Sequence, residues 1–339
     1  MQIGKINTND QVFIIAELSA NHCGSLQVAK DTIYAAKEAG ADAVKLQTYT
    51  PDWMTLKIDR NEFKAGDLWK DKYLYDLYQK AMTPLEWHEE LFDYARSLEL
   101  EVFSSPFSKE AVDFLEQFEP PAYKIASFEI TDYDLIDYAA SKGRPMIIST
   151  GIATLQEIQD VVDICKKKGV ELALLKCTSA YPAPRSEVNL KTIPALKEIF
   201  GVEVGFSDHT LGISAPVAAV AMGAKIIEKH FILDKNLNSP DKDFSLTPDE
   251  LREMVKAVRE TEEMMGEVNF KPKSGRQFAR SLYVVKDIKK GETFTKEHIR
   301  AIRPAYGLHP KFLPQVLGKK ACRDLKKGDR LRWEDITDF

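Results

Sequence analysis

Cysteine is scarce and scattered. Cys23, Cys165, Cys177 and Cys322 form no CxxC pair, which argues against a disulfide framework or a structural zinc site. Long apolar runs are also missing. None is long enough to span a bilayer, and the polar start of the chain lacks the apolar core of a secretion signal. The expectation is a cytoplasmic protein without a membrane partner. There is no basic excess: 47 Lys and Arg stand against 52 Asp and Glu, a net charge of −5. No overall field invites nucleic acid, although a local cationic pocket for a small anion stays open. Nor does a glycine-rich turn follow the first strand-like segment, so a dinucleotide-binding open sheet is only the second choice of fold.

The 339 residues, 44% of them hydrophobic, suffice for one large domain and a second, smaller one. Between residues 12 and 265, β-branched apolar runs alternate with amphipathic segments. Strands are expected at 12–17, 43–47, 101–104, 122–126, 145–149, 171–176, 202–206 and 225–228. Helices are expected at 25–39, 84–98, 109–116, 132–142, 155–168, 190–200, 213–222 and 248–265. Ser108, Thr131, Thr154 and Thr247 stand where helices would begin, and Gly40, Gly143, Gly169, Gly201 and Gly223 where they would end. Eight strands alternating with eight helices over about 250 residues predict a (β/α)8 TIM barrel.

Such a fold gathers its chemistry at the C-terminal ends of the strands. Polar residues recur there: Glu17, Lys45, Gln47, Ser105, Lys124, Ser127, Ser149 and Ser179. Strand alternation turns Val44 and Leu46 to the helices and Lys45 and Gln47 to the axis. A lysine inside such a strand is costly unless it meets an anion. Two more strand-like runs end in Ser207-Asp208-His209 and Glu228-Lys229-His230. Their imidazoles can converge on a divalent metal, or they are satisfied rim histidines.

Residues 50–83 interrupt the alternation with a charged, aromatic insertion carrying Trp53, Phe63, Trp69, Tyr73, Tyr75 and Tyr78, readable as a lid or as an oligomer contact. Past residue 265 the character changes. A polar linker at 266–280 precedes a near-repeat. Lys286-Asp287-Ile288-Lys289-Lys290-Gly291 is matched by Arg323-Asp324-Leu325-Lys326-Lys327-Gly328, and Glu297-His298-Ile299 by Glu334-Asp335-Ile336. This predicts a two-copy, hairpin-rich module at 281–339.

Lys45 and Lys124, with hydroxyls at Ser105, Ser127, Ser179 and Ser207, suit a compact dianion such as a phosphate ester carrying a carboxylate. The bland alternative is surface lysines and loop serines. His209 and His230 supply part of a metal shell, and open positions with mixed N/O ligation suit Mn²⁺ or Mg²⁺. Glu17 and Glu129 are candidates for proton transfer, each also readable as a paired or solvated carboxylate. From the residues alone the reading stops at a metal-assisted reaction of a phosphorylated small acid. A Schiff-base aldolase using Lys124 is the rival enzyme.

The motifs Ala16-Glu17-Leu18-Ser19-Ala20-Asn21-His22, Val44-Lys45-Leu46-Gln47-Thr48, Ser104-Ser105-Pro106-Phe107, Tyr123-Lys124-Ile125-Ala126-Ser127 and Ser149-Thr150-Gly151 resemble the sialic acid synthase family. So do Lys176-Cys177-Thr178-Ser179-Ala180-Tyr181-Pro182, Gly205-Phe206-Ser207-Asp208-His209 and Glu228-Lys229-His230-Phe231. The terminal repeat resembles that family's antifreeze-like (SAF) domain. Within the family the nearest resemblance is to the pseudaminic acid branch. It is carried by Glu17-Leu18-Ser19-Ala20-Asn21, the insertion from Leu68-Trp69-Lys70 to Leu74-Tyr75-Asp76-Leu77-Tyr78, Phe278-Ala279-Arg280-Ser281-Leu282-Tyr283 and Arg303-Pro304-Ala305-Tyr306-Gly307-Leu308-His309-Pro310.

The resemblance implies condensation of phosphoenolpyruvate with 2,4-diacetamido-2,4,6-trideoxy-L-altrose, giving pseudaminic acid and phosphate. The neuraminate and legionaminate branches are the alternatives. It further implies His209 and His230 on the metal, and phosphoenolpyruvate on Lys45, Ser105, Lys124, Ser127, Ser179 and Ser207. Tyr181 and Asp241 match sugar-contacting positions, and Glu17 or Glu129 would be the base. Arg303 matches an arginine that enters a partner subunit's barrel, which implies a domain-swapped homodimer. Ser179 departs from the neuraminate branch, where asparagine is usual. A carbohydrate- or ice-binding role, suggested by the module's name alone, fits poorly with its charged Lys289, Lys290, Lys326 and Lys327.

Overall fold

The short β-branched runs assemble in sequence order. In the computed structural model, which describes residues 1–65, 72–272 and 274–337, a hairpin of β1 (Gln2–Ile3) and β2 (Ile6–Asn7) precedes the main sheet. The main strands are β3 (Phe13–Glu17), β4 (Ala43–Thr48), β5 (Glu101–Pro106), β6 (Tyr123–Ile125), β7 (Met146–Ser149), β8 (Leu172–Cys177), β9 (Glu203–Asp208) and β10 (Ile226–His230). All neighbours are parallel, and β10 pairs with β3, closing an eight-stranded barrel. Leu68, Trp69 and Lys70 of the insertion lie outside the described residues.

Strand alternation divides the apolar residues into two layers. Val44, Leu46, Tyr123, Ile148 and Leu174 face outward into the core shared with the helices. Phe13, Ile15, Ala43, Phe103, Ile147, Leu175 and Ile226 fill the axis, and Ile3 of the hairpin packs against them. This apolar plug occupies the first halves of the strands, so polar side chains that point inward collect above it.

The helices are α1 (Leu26–Ala39), α2 (Pro51–Met54), α3 (Leu74–Ala81), α4 (His88–Ser97), α5 (Lys109–Glu116), α6 (Tyr133–Ala140), α7 (Leu155–Lys168), α8 (Thr192–Phe200), α9 (Ser214–Ala221) and α10 (Pro248–Met265). Thr154 and Thr247 form capping boxes with Glu157 and Glu250. Thr131 does not cap α6. Asp132 does, accepting from the Leu135 N–H at 3.0 Å, because the helix starts one residue later than expected. The insertion contributes α2 and α3, and its Tyr78 ring meets Tyr49 edge-on at 5.8 Å. Among the described residues no helix is long and apolar enough to cross a membrane.

The chain divides into two compact units, Met1–Gly266 and Glu267–Phe339. The second contains β11 (Ser281–Val284) paired antiparallel with β12 (Ile299–Ile302), and a short α11 (Leu313–Val316). Its near-repeat is a reciprocal embrace. Ile288 bridges Leu325, Asp324 accepts from the Lys290 N–H at 2.9 Å, and Asp287 accepts from the Lys327 N–H at 2.8 Å. The ion pairs Lys289–Asp324 and Lys326–Asp287, each 3.0 Å, repeat the exchange on the surface.

Candidate active site

Alternation decides which charges enter the barrel. Lys45 on β4 and Lys124 on β6 point inward and are 3% and 1% exposed. One carboxylate lies between them. Glu228 on β10 places Oε2 3.8 Å from the Lys45 ammonium and Oε1 3.8 Å from that of Lys124. Lys45 also pairs with Glu17 and donates to Ser105 Oγ at 3.1 Å. Lys124 donates to Ser149 Oγ at 2.7 Å, and Ser207 donates to Glu228 at 3.0 Å. Four strands thus contribute two cations and two anions to one buried cluster.

Burial raises the proton affinity of Glu17, and its pKa reaches about 7 in spite of Lys45. Burial pushes Glu228 the same way, but the two ammonium groups outweigh it and hold that carboxyl below its ordinary range. Burial also lowers Lys124. Glu17 and Glu228 favour the charged forms of Lys45 and Lys124 against the burial that opposes them.

A cavity of about 440 Å³ opens where Gln47, Glu129, Ser179, Tyr181, His230 and Asp241 converge. Gln47 donates to Glu17 Oε1 at 3.1 Å and to Ser19 Oγ at 3.0 Å. Ser19, held at φ 46°, donates in turn to Asp241 at 2.5 Å. Ser127 and Ser179 share a hydrogen bond of 2.7 Å. They approach across Gly151, where a Cβ would lie 2.5 Å and 2.2 Å from their hydroxyls. Residues of the insertion, Met54, Leu74, Leu77 and Tyr78, make an apolar wall.

His209 and His230 stand with ring centroids 5.3 Å apart, and Tyr181 lies 4.4 Å from His209. Burial lowers the pKa of His209 to about 4 and that of His230 well below its ordinary value, so both rings are neutral. His209 Nδ1 lies 3.1 Å from the Thr178 carbonyl and must donate its proton there, which leaves Nε2 as a free lone pair. His230 Nδ1 is buried without a hydrogen-bond partner, and the Asp241 carboxylate is 3.7 Å away. Orphaned imidazole nitrogen on neutral rings is a donor set that fits a divalent cation. Among the described residues no group of three or more His, Cys, Asp or Glu has metal-ligand spacing.

Glu129 follows β6, and its Oε2 is buried without a partner. Burial, only partly offset by Lys124, raises its pKa to about 7. Arg303 belongs to the second unit, exposed just past β12. The sequence pattern sets Glu228 and Ser149 at strand ends but gives neither of them a role. Glu228 lies two residues before His230, and strand parity alone puts both on the axis. Ser149 ends β7, and only the barrel's register brings it to Lys124.

A closed parallel barrel with a lysine–carboxylate cluster beneath a histidine-walled cavity, followed by a small β-rich unit, defines a two-unit barrel enzyme. Residues 32–270 match the NeuB family and residues 279–337 match the SAF domain; the chain belongs to the NeuB family. It is 53% identical over 342 residues to the pseudaminic acid synthase of Campylobacter jejuni, covering 99% of this chain and 100% of that one. It is 50% identical over 330 residues to the pseudaminic acid synthase of Helicobacter pylori, covering 95% and 97%. Among solved structures, the spore coat polysaccharide biosynthesis protein SpsE of Bacillus subtilis matches with a TM-score of 0.69 at 36% identity, covering 100% of this chain and 99% of that one.

Proposed function

We propose that this enzyme condenses phosphoenolpyruvate with 2,4-diacetamido-2,4,6-trideoxy-L-altrose, releasing pseudaminic acid and phosphate in the cytoplasm. The observation that carries the reading is the pair of buried lysines sharing Glu228 beneath a cavity with an apolar wall and a smaller set of polar groups. Full-length identity to two pseudaminic acid synthases supports the choice of sugar.

Lys45 and Lys124, with Ser105, Ser127, Ser179 and Ser207, hold the phosphate and carboxylate and offset the charge that would repel an approaching carbonyl. His209 and His230 would hold Mn²⁺ or Mg²⁺, which when bound withdraws electron density from the sugar's aldehyde oxygen. Tyr181, Gln47 and Asp241 orient the open-chain sugar. Carbon 3 of the enol forms the new bond to the aldehyde carbon, whose oxygen takes up a proton. Water then adds at carbon 2, giving its proton to Glu17 beside Lys45, with Glu129 in the cavity wall as the alternate base. The bond from carbon 2 to the phosphate oxygen then breaks as the carbon 2 hydroxyl closes to a carbonyl and passes its proton to the departing phosphate, leaving the keto acid and phosphate.

Arg303 would complete the site from the second unit of a partner in a domain-swapped homodimer. Charge supports this: residues 267–339 carry 18 Lys and Arg against nine Asp and Glu, in a chain whose net charge is −5. Phosphate release against a panel of N-acetylated sugars tests the reaction. Turnover is expected with the diacetamido trideoxy sugar and should be weak with N-acetylmannosamine. Preference for the latter would move the protein to the neuraminate branch.

A further inference from the structure

One fully buried pair of opposite charges touches neither the cavity nor the lysine cluster. Asp208 and Lys229 immediately precede His209 and His230, and they are register partners across β9 and β10. Parity sends Ser207 and Glu228 to the axis, and so turns Asp208 and Lys229 outward beneath the helices. Both side chains are 0% exposed, with Nζ 2.5 Å from Oδ2. Asp208 Oδ1 accepts from the Thr210 N–H at 2.8 Å, Oδ2 accepts from the Thr210 hydroxyl at 3.2 Å, and Lys229 donates to the Thr210 carbonyl. The pair therefore ties the turn that carries His209 to the strand that carries His230.

Stability does not explain it. Removing two ions from water costs about as much as their attraction returns, and an apolar pair of similar volume is often as stable or more so. Position offers a better account. The His230 ring rests against Phe244, His209 and Tyr181, but its Nδ1 is buried without a hydrogen-bond partner, so the backbone that bears the ring shares in placing it. We propose that Asp208 and Lys229 are positioning residues. Their ion pair fixes the turn after β9 against β10, and so sets the separation and tilt at which His209 and His230 take a divalent cation. The inference rests on the reading of those histidines as metal ligands.

The test separates stability from placement. Metal-free full-length protein carrying Asp208→Leu with Lys229→Met is compared with wild type by thermal melting and by calorimetric titration with Mn²⁺. The expected result is a melting temperature at or above wild type together with Mn²⁺ affinity weakened at least tenfold, the scale on which outer-shell partners act on metal sites. Asp208→Asn, which keeps shape and one Thr210 bond, is measured alongside in case the double variant does not fold. Unchanged Mn²⁺ affinity in whichever variant folds overturns the proposal, whatever happens to the melting temperature. His209→Ala and His230→Ala are titrated as references. Wild-type affinity in those two would instead overturn the metal reading itself.

Discussion

Glu129 shows how one buried oxygen links stability to chemistry. Its carboxyl is held near 7 against an ordinary 4.5 because burial penalises the charge more than Lys124 favours it. The folded chain therefore binds that proton more tightly than the unfolded chain does. Stability from this group is fully present below pH 4.5 and is lost as pH climbs through about 7. Glu129→Gln keeps the shape and removes the charge, so its melting temperature should exceed wild type by more at pH 8 than at pH 5. Equal shifts at both pH values would show that the carboxyl is not held protonated. A base must be ionised before it can accept a proton. If Glu17 or Glu129 serves, kcat/KM rises toward pH 7 and levels off above it.

At the scale of elements, the insertion between β4 and α4 decides one side of the cavity. Met54 of α2 and Leu74, Leu77 and Tyr78 of α3 line it together with Gln47, Glu129 and Asp241. Methyl groups of a 6-deoxy, N-acetylated sugar suit such a wall, whereas a hydroxyl against Met54, Leu74 or Leu77 would meet side chains that neither donate nor accept hydrogen bonds of ordinary strength. An apolar surface rejects an added hydroxyl only modestly, by about 10–100-fold. The 6-hydroxy counterpart of the proposed sugar should therefore be poorer by about that factor in kcat/KM, and Leu77→Asn should narrow the gap. A ratio unchanged by Leu77→Asn would remove that side chain from sugar recognition.

At the scale of the molecule, charge is segregated. With +9 on residues 267–339, the net charge of −5 leaves −14 on the first 266 residues. In the proposed swap the basic unit of one chain would meet the acidic barrel of another, and salt shortens the reach of such fields from about 10 Å at 0.1 M to about 3 Å at 1 M. Light scattering should find a dimer at low ionic strength that weakens as salt rises, with turnover falling in parallel. Full activity from a strictly monomeric species would remove both the swap and the role of Arg303. A chain truncated after Gly266 should fold, since that unit has its own core, yet lack turnover.

The sequence by itself determined the barrel, because apolar runs of period two, helix caps and strand-end polarity are local patterns and local physics reads them. It also determined that Lys45 and Lys124 point inward, since parity within one strand follows from backbone geometry. Thr131 and Asp132 mark where local reading slips: either residue type can cap, and in the structure Asp132 does. Only the tertiary structure decided that Glu228 lies between both lysines, that Ser149 reaches Lys124, and that Asp208 meets Lys229. Each depends on the register between separate strands, whether neighbours in the chain as β6 and β7 or distant as β6 and β10, and a pattern within one strand does not set that register. A chain read one residue at a time holds no record of it.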